Sequence, residues 1–390
     1  MVTATAPRVR TSATAMVAVL VAVAVCALVV RLPMLPFRSG DYDAYVGQWY
    51  TFLARHGGFA GLRDNFANYN VPYLYLLAAL TYLPIPALYA IKLLSIAFDG
   101  LLAFFTYRIV VLHRPGTWWP VGAAAVVLCL PTVALNSALW GQADSIYTAL
   151  SVGGVYFLLR RRPWWACVFF GLAFGVKLQA IFLFPVLVLL AVRRWVPWRA
   201  LLLVPATYLA LDVPALLLGA DPHSLFTVYL TETGTYDQLT LNAPNVYQFL
   251  GAAGDTATIR ALGIEFTGLL VLALLLGAVR RRSPLTPTGI VLACAVSTLV
   301  VPYFLPAMHE RYFYLADIFT VVAACHLPRR LWALPVLEQF ASAFSYAPFL
   351  RMSPTLVPFP ILATVMLAAL GLALWAASVD MRLRIHAYDR

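Results

Sequence analysis

Apolar runs of about 17 to 25 residues recur along the chain, separated by short arginine-, glycine- and proline-rich segments; runs of that length cross a bilayer core as α-helices. "ATAMVAVLVAVAVCALVVRL" near the start and "FPILATVMLAALGLALWAAS" near the end are two of them. The pattern predicts spans at 14–33, 85–112, 118–135, 143–159, 164–176, 178–192, 199–219, 259–279, 286–304, 309–326, 331–350 and 356–379. Segment 164–176 is short for an untilted crossing, and "VPYLYLLAALTYLP" reads as a further span or a half-helix, so the expected count is about 12, within 11–13. One segment breaks the pattern. In "DYDAYVGQWYTFLAR", Tyr42, Tyr45, Trp49 and Phe52 share one helical face while Asp41, Gln48 and Arg55 share another, as in a helix lying in the membrane interface. The fold class expected is all-α and polytopic transmembrane. It is read as a single domain over 1–390, with outer loops at 34–71 and 220–258 and no separate soluble domain.

Basic residues give the orientation. Arg8/Arg10, Arg108/Arg114, Arg160 to Arg162, Arg193/Arg194/Arg199, Arg280 to Arg282, Arg329/Arg330 and Arg382/Arg384 fall in short connections, and placing all of them in the cytoplasm gives one consistent threading. The first apolar run is read as a retained helix rather than a cleaved signal, since it lacks a cleavage site. The remaining polar stretches then gather on the outer face: 38–70, 135–145, 175–180, 231–249 and 306–311. A transporter would place ionisable groups mid-membrane on two matching halves. No internal repeat is visible, and the one-sided pattern suits an active site open to the outer leaflet.

Composition agrees: 62% of residues are hydrophobic and 11% charged, against about a quarter charged in soluble domains. The net charge of +11 is topological rather than a sign of nucleic acid. Cys26, Cys129, Cys167, Cys294 and Cys325 lie inside apolar runs without CxxC spacing, which points to neither a disulfide framework nor a metal.

Several polar residues could carry chemistry. Asp41 and Asp43 begin the interfacial helix, where acids cap and favour the positive helix end; either could instead be a general base. In "NSALWGQADS", Asp144 or Ser145 suits a cap and Asn136 and Trp140 an interfacial belt, with sugar binding by Trp140, Gln142 and Asp144 as the alternative. Lys177 either snorkels to the interface or meets a lipid phosphate. Lys92 and Asp99, seven apart on one helical face, read as structural partners. In "LPAMHERYFYLAD", Pro306 and Glu310 suit a helix start, whereas His309 and Arg311 would repel it unless an anion lay against them. Arg311 offers a planar fork for phosphate; the plain alternative is a Glu310–Arg311 surface pair. Asp317 lies deeper, as a functional acid or a buried structural partner.

The segments "SGDYDAYVGQWYTFLARHGGF", "NYNVPYLYLLAAL", "AIKLLSIAFDGLLAFFTYRIV", "PTVALNSALWGQADSIYTA", "GLAFGVKLQAIFLFPVL", "GTYDQLTLNAPNVYQFLG" and "MHERYFYLADI" together resemble the GT-C superfamily of integral-membrane glycosyltransferases, and within it a bacterial group related to GPI mannosyltransferase II. The resemblance extends over about residues 38 to 320, with "WGQADS", "LTLNAPN" and "MHERYF" its most specific parts. It implies an inverting transfer of a hexose, mannose first, from a polyprenyl-phosphate donor to a lipid or glycan hydroxyl, on the extracytoplasmic side of a bacterial plasma membrane. It also implies Asp41, or else Asp43, as base, and His309, Glu310, Arg311 and Lys177 around the donor phosphate. Trp140, Gln142, Asp144, Asn242 and Asn245 would bind substrate. No metal or cofactor is expected, since no carboxylate pair is arranged for one and a monophosphate leaving group can depart without it. A flippase or transporter of lipid-linked sugars, and an accessory subunit of an envelope complex, are the other readings.

Overall fold

The computed structural model describes residues 13–233, 237–250, 255–280, 284–350 and 356–388; the cluster Arg8/Arg10 and, of the cluster Arg280 to Arg282, Arg281 and Arg282 lie outside them. Each predicted span coincides with a helix or a pair of helices. Among the described residues, six are long and apolar enough to cross a membrane: Thr14–Met34, Ala87–His113, Trp198–Leu218, Thr256–Arg280, Pro287–Phe304 and Phe359–Asp380. The pair Trp119–Cys129 and Pro131–Trp140 passes the same test only as a unit bent by 51°, a broken span or a re-entrant loop. Its bend has a local cause. Pro131 cannot donate to the helix and pushes Leu130 out of the helical region, to φ −57° and ψ 132°.

The shorter helices are of another kind. Asp144–Leu159 and Tyr314–His326 are buried on nearly every side, as expected of helices that are apolar all round but surrounded by protein. Among the longer helices, Trp198–Leu218 and Thr256–Arg280 are mostly exposed and turn side chains such as Leu217, Leu262 and Leu269 outward. "VPYLYLLAALTYLP" resolves as the half-helix: Val71–Leu80 has 10 residues, about 15 Å of rise. The expected amphipathic helix is present as a π-turn, Tyr42–Val46, running into the helix Gly47–Arg55, which buries Trp49, Tyr50 and Leu53.

One pairing read from the sequence is corrected. Lys92 and Asp99 lie on the same face of Ala87–His113 but do not bond each other. Asp99 Oδ2 accepts from Arg31 at 2.9 Å and from Ser137 Oγ at 2.6 Å. Lys92 Nζ donates to the carbonyls of Met34, Leu35 and Phe37 at 3.0, 3.0 and 2.6 Å. Seven residues apart is two turns, about 10 Å of rise, so each polar group meets what lies beside its own turn. Asp317 is likewise structural, its Oδ1 accepting from Gln339 Nε2 at 2.8 Å.

The Arg31–Asp99 pair is almost fully buried, and removing one partner of such a pair strands the other charge. Arg31→Leu is expected to cost about 3–5 kcal/mol, with much of it recovered by adding Asp99→Leu. Unfolding midpoints in detergent for the single and double variants test this; a double variant as unstable as Arg31→Leu would show that the ion pair is not the source.

Candidate active site

Asp41 stands just ahead of the turn Tyr42–Val46 but makes no side-chain cap bond. Ser39 does so instead: its Oγ accepts from Tyr42 N at 3.2 Å while donating to Trp140 O at 2.8 Å. Relieved of capping, Asp41 turns its carboxylate toward the middle of the chain. Oδ2 accepts from Trp140 Nε1 at 3.0 Å and Gln142 Nε2 at 2.5 Å, and Arg311 NH1 lies 3.6 Å away. Oδ1 has no hydrogen bond to the described residues.

Trp140 and Gln142 reach Asp41 because the chain reverses between them. Gly141 sits at φ +79°, a region an L side chain enters at a cost, and it ends the π-turn Leu135–Trp140. Trp140 is therefore no interfacial belt residue. It is buried, packs on Tyr346 and Phe349 at ring separations of 5.3 and 4.6 Å, and lies under the Arg311 guanidinium at 5.1 Å.

The opposite wall is held by a small piece of sheet. Thr240–Leu241 and Met308–His309 pair in parallel, Asn242 bridges His309, and Ala307 N donates to Leu239 O at 2.8 Å. Asn242 takes φ +58°, a left-handed conformation that asparagine tolerates better than most residues. The pairing presents His309, Glu310 and Arg311 to a cavity of about 430 Å³, also lined by Asp41, Gln142 and Asn242.

Their electrostatics differ from the sequence reading in one respect. Burial, helped by Arg311 and Lys177, lowers the His309 pKa to about 2. His309 is a neutral imidazole, so Arg311 supplies the positive charge at this wall. Burial opposes the Arg311 charge, yet Asp41, Tyr312 and Glu310 carry its pKa well above the usual guanidinium range. Arg311 Nε and NH1 are nevertheless buried without hydrogen bonds. Glu310 Oε1 lies 3.6 Å from NH1, and burial raises the Glu310 carboxyl to about 7 against the pull of Arg311.

The other candidates fall outside the cavity. Asp43 is exposed and bonds Arg38 at 2.5 Å. Lys177 reaches no membrane surface: it is buried and paired with Asp144, whose Oδ2 accepts from Asn136 at 2.8 Å. Its position follows from the chain, which is extended at Lys177 between the helix Pro163–Val176 and the turn Leu178–Leu183. Asp144 thus anchors Lys177 rather than capping its own helix. Asn245 caps the turn Val246–Phe249, its side chain accepting from Tyr247 N at 3.2 Å. Sequence reasoning missed the aromatic lining from Tyr45, Trp49, Tyr69, Tyr73, Tyr312 and Phe349. Its trace in the sequence is the run of aromatics from Tyr42 to Tyr75, which an interfacial helix explains equally well.

A membrane bundle of helices with this cleft has the architecture of the GT-C glycosyltransferases. The chain is similar in structure to the crystal structure of ArnT from Cupriavidus metallidurans bound to undecaprenyl phosphate, at a TM-score of 0.58 and 16% sequence identity over 96% of this chain and 79% of that one. The model of glycosyltransferase family 87 matches residues 66–302, and the chain belongs to that family. No curated protein matches the chain. Family membership makes the protein a membrane glycosyltransferase, against the transporter and accessory-subunit readings.

A carboxyl raised by folding stabilises the fold while protonated. That contribution is complete below the ordinary value of 4.5 and lost as pH rises through about 7. Stability should fall across that window, and Glu310→Gln, which cannot ionise, should flatten the fall. Thermal midpoints of both proteins across the window provide the check; parallel slopes would assign the effect to another group.

Proposed function

We propose that the protein transfers a hexose, mannose in the first instance, from a polyprenyl-phosphate donor to a hydroxyl of a lipid or glycan acceptor. The observation that carries this is the meeting, in one cavity, of a carboxylate with a free oxygen and an arginine whose buried nitrogens make no hydrogen bond: Asp41, with its free Oδ1, 3.6 Å from Arg311, whose Nε and NH1 are unmet. Buried guanidinium hydrogens without acceptors call for a planar or tetrahedral oxyanion, and phosphate satisfies the fork. The donor class is supported by the fold's likeness to ArnT, whose structure holds undecaprenyl phosphate. The aromatic lining suits the apolar faces of a sugar ring, with Gln142 and Asn242 at hand for its hydroxyls.

The chemistry is a single displacement. The acceptor oxygen attacks the anomeric carbon, its proton passes to Asp41 Oδ1, and the bond from that carbon to the phosphate oxygen breaks. The electron pair leaves with the polyprenyl phosphate, whose growing charge Arg311 stabilises in a partly dehydrated cleft. Trp140 and Gln142 hold Asp41 Oδ2 in place. His309, neutral, can donate or accept one hydrogen bond but adds no charge. Glu310 orients Arg311, and Lys177 with Asp144 supports the floor from behind. Asn245 shapes the loop that carries Asn242. The arginine distribution along the chain supports an active site on the extracytoplasmic face of a bacterial plasma membrane.

Transfer from labelled polyprenyl-phosphate-mannose into a membrane-lipid extract tests the reading with purified protein. Asp41→Asn should lower turnover about 10²–10⁴-fold, the range for loss of a general base, while Asp43→Asn stays near wild type. Equal losses in both, or none in either, would remove Asp41 from the role, and a faster reaction with another hexose would replace mannose.

A further inference from the structure

Lys92 stands at the junction of the two segments that build the candidate base, and nothing in the reaction uses it. It lies on the helix Ala87–His113, is 1% exposed, and has no carboxylate within 4.0 Å among the described residues. A buried ammonium without a counter-ion is held only where oriented dipoles replace water. Here three carbonyls do so: those of Met34, Leu35 and Phe37, at 3.0, 3.0 and 2.6 Å. They belong to the turn by which the chain leaves the first span and arrives, two residues past Phe37, at Ser39 and then Asp41. The stem of the same side chain packs beneath Gly141, where an added Cβ would lie 3.4 Å from Lys92 Cγ. Gly141 separates Trp140 from Gln142, the two residues that bond Asp41 Oδ2. One turn further along the helix, Ser95 Oγ donates to Gln142 O at 2.7 Å, and Ser39 Oγ closes the arrangement on Trp140 O.

We propose that Lys92 is a positioning residue for Asp41, fixing the segment that carries the carboxylate against the segment that bonds it. Its three hydrogen bonds set where the 34–37 turn lies, and its stem sets how near Gly141 approaches. The two can shift relative to each other only if the ammonium releases its carbonyls, of which Met34 O also accepts from Phe37 N at 3.2 Å while those of Leu35 and Phe37 have no other donor among the described residues. Lys92 touches neither the cavity nor any group assigned to the donor phosphate, so its loss should be felt in turnover and not in donor binding. This rests on Asp41 being the base.

The test compares wild type with Lys92→Met, which keeps the stem and removes the ammonium, Lys92→Gln, which keeps two donors, and Asp41→Asn. Transfer kinetics in detergent or vesicles are read beside the thermal midpoint of each protein. Lys92→Met should lose about 10- to 100-fold in kcat, the scale of a misplacement of about 1 Å, with the KM for donor within about twofold. Lys92→Gln should fall between it and wild type. If Lys92→Met does not fold, Lys92→Gln decides by the same split between kcat and KM. Wild-type kcat in a folded Lys92 variant, or kcat and KM changing together with a lowered midpoint in both variants, overturns the positioning role. Asp41→Asn keeps the two assignments apart: an inactive Asp41→Asn beside a fully active Lys92→Met defeats Lys92 alone, whereas a fully active Asp41→Asn defeats the base and this inference with it.

Discussion

A charge placed inside an apolar bundle has to be answered from within the protein, and Asp99 is the residue whose answer organises this one. Arg31 reaches it from the end of the first span and Ser137 from the bent span, so one carboxylate ties three separated segments together. With Lys92 and Ser95 two turns and one turn nearer the cleft, it makes a polar stripe on an otherwise apolar helix. The stripe fixes the end of the first span, the turn that follows it and the reversal at Gly141. Asp41, Trp140 and Gln142 inherit their places from these contacts.

The cleft applies the same rule in reverse. Asp41 and Arg311 face each other at 3.6 Å, close enough to attract but too far for a good hydrogen bond. Two guanidinium nitrogens and both Glu310 oxygens are buried without hydrogen bonds. Unmet groups of that kind are costly in a folded interior, and on the proposed reading a substrate carrying negative charge and hydroxyls satisfies these. Unmet atoms are not confined to the cleft, since Arg31 Nε, Asp99 Oδ1 and both carboxylate oxygens of Asp212 and Glu338 also lack hydrogen bonds.

Much of the fold was legible because the bilayer imposes a length on every apolar run and a side on every arginine. Helix positions follow from those two constraints, and the break at Leu130 from Pro131. Asp41, His309, Glu310 and Arg311 stood out because each is costly at the border of apolar segments. Partnerships were not legible. Lys92 and Asp99 share a face, and spacing alone pairs them; the chain's path around the helix gives each a different partner. Lys177 pairs with Asp144, 33 residues away, for which no local pattern exists. Charge state also escaped, since it is burial, with Arg311 and Lys177 adding to it, that lowers the His309 pKa.

That strand pairing has a consequence for how the chain can vary in length. Successive residues of a strand point to opposite sides, so a slip of one position reverses every side chain. Here the register is Thr240 on Met308 and Leu241 on His309, and Glu310 and Arg311 follow directly. Inserting or deleting one residue within 239–242 or 306–309 would swing His309 away from the cleft and carry Arg311 off Trp140 and Asp41. The register itself constrains only these two short stretches, so a change of length elsewhere leaves the pairing of Leu241 with His309 in place.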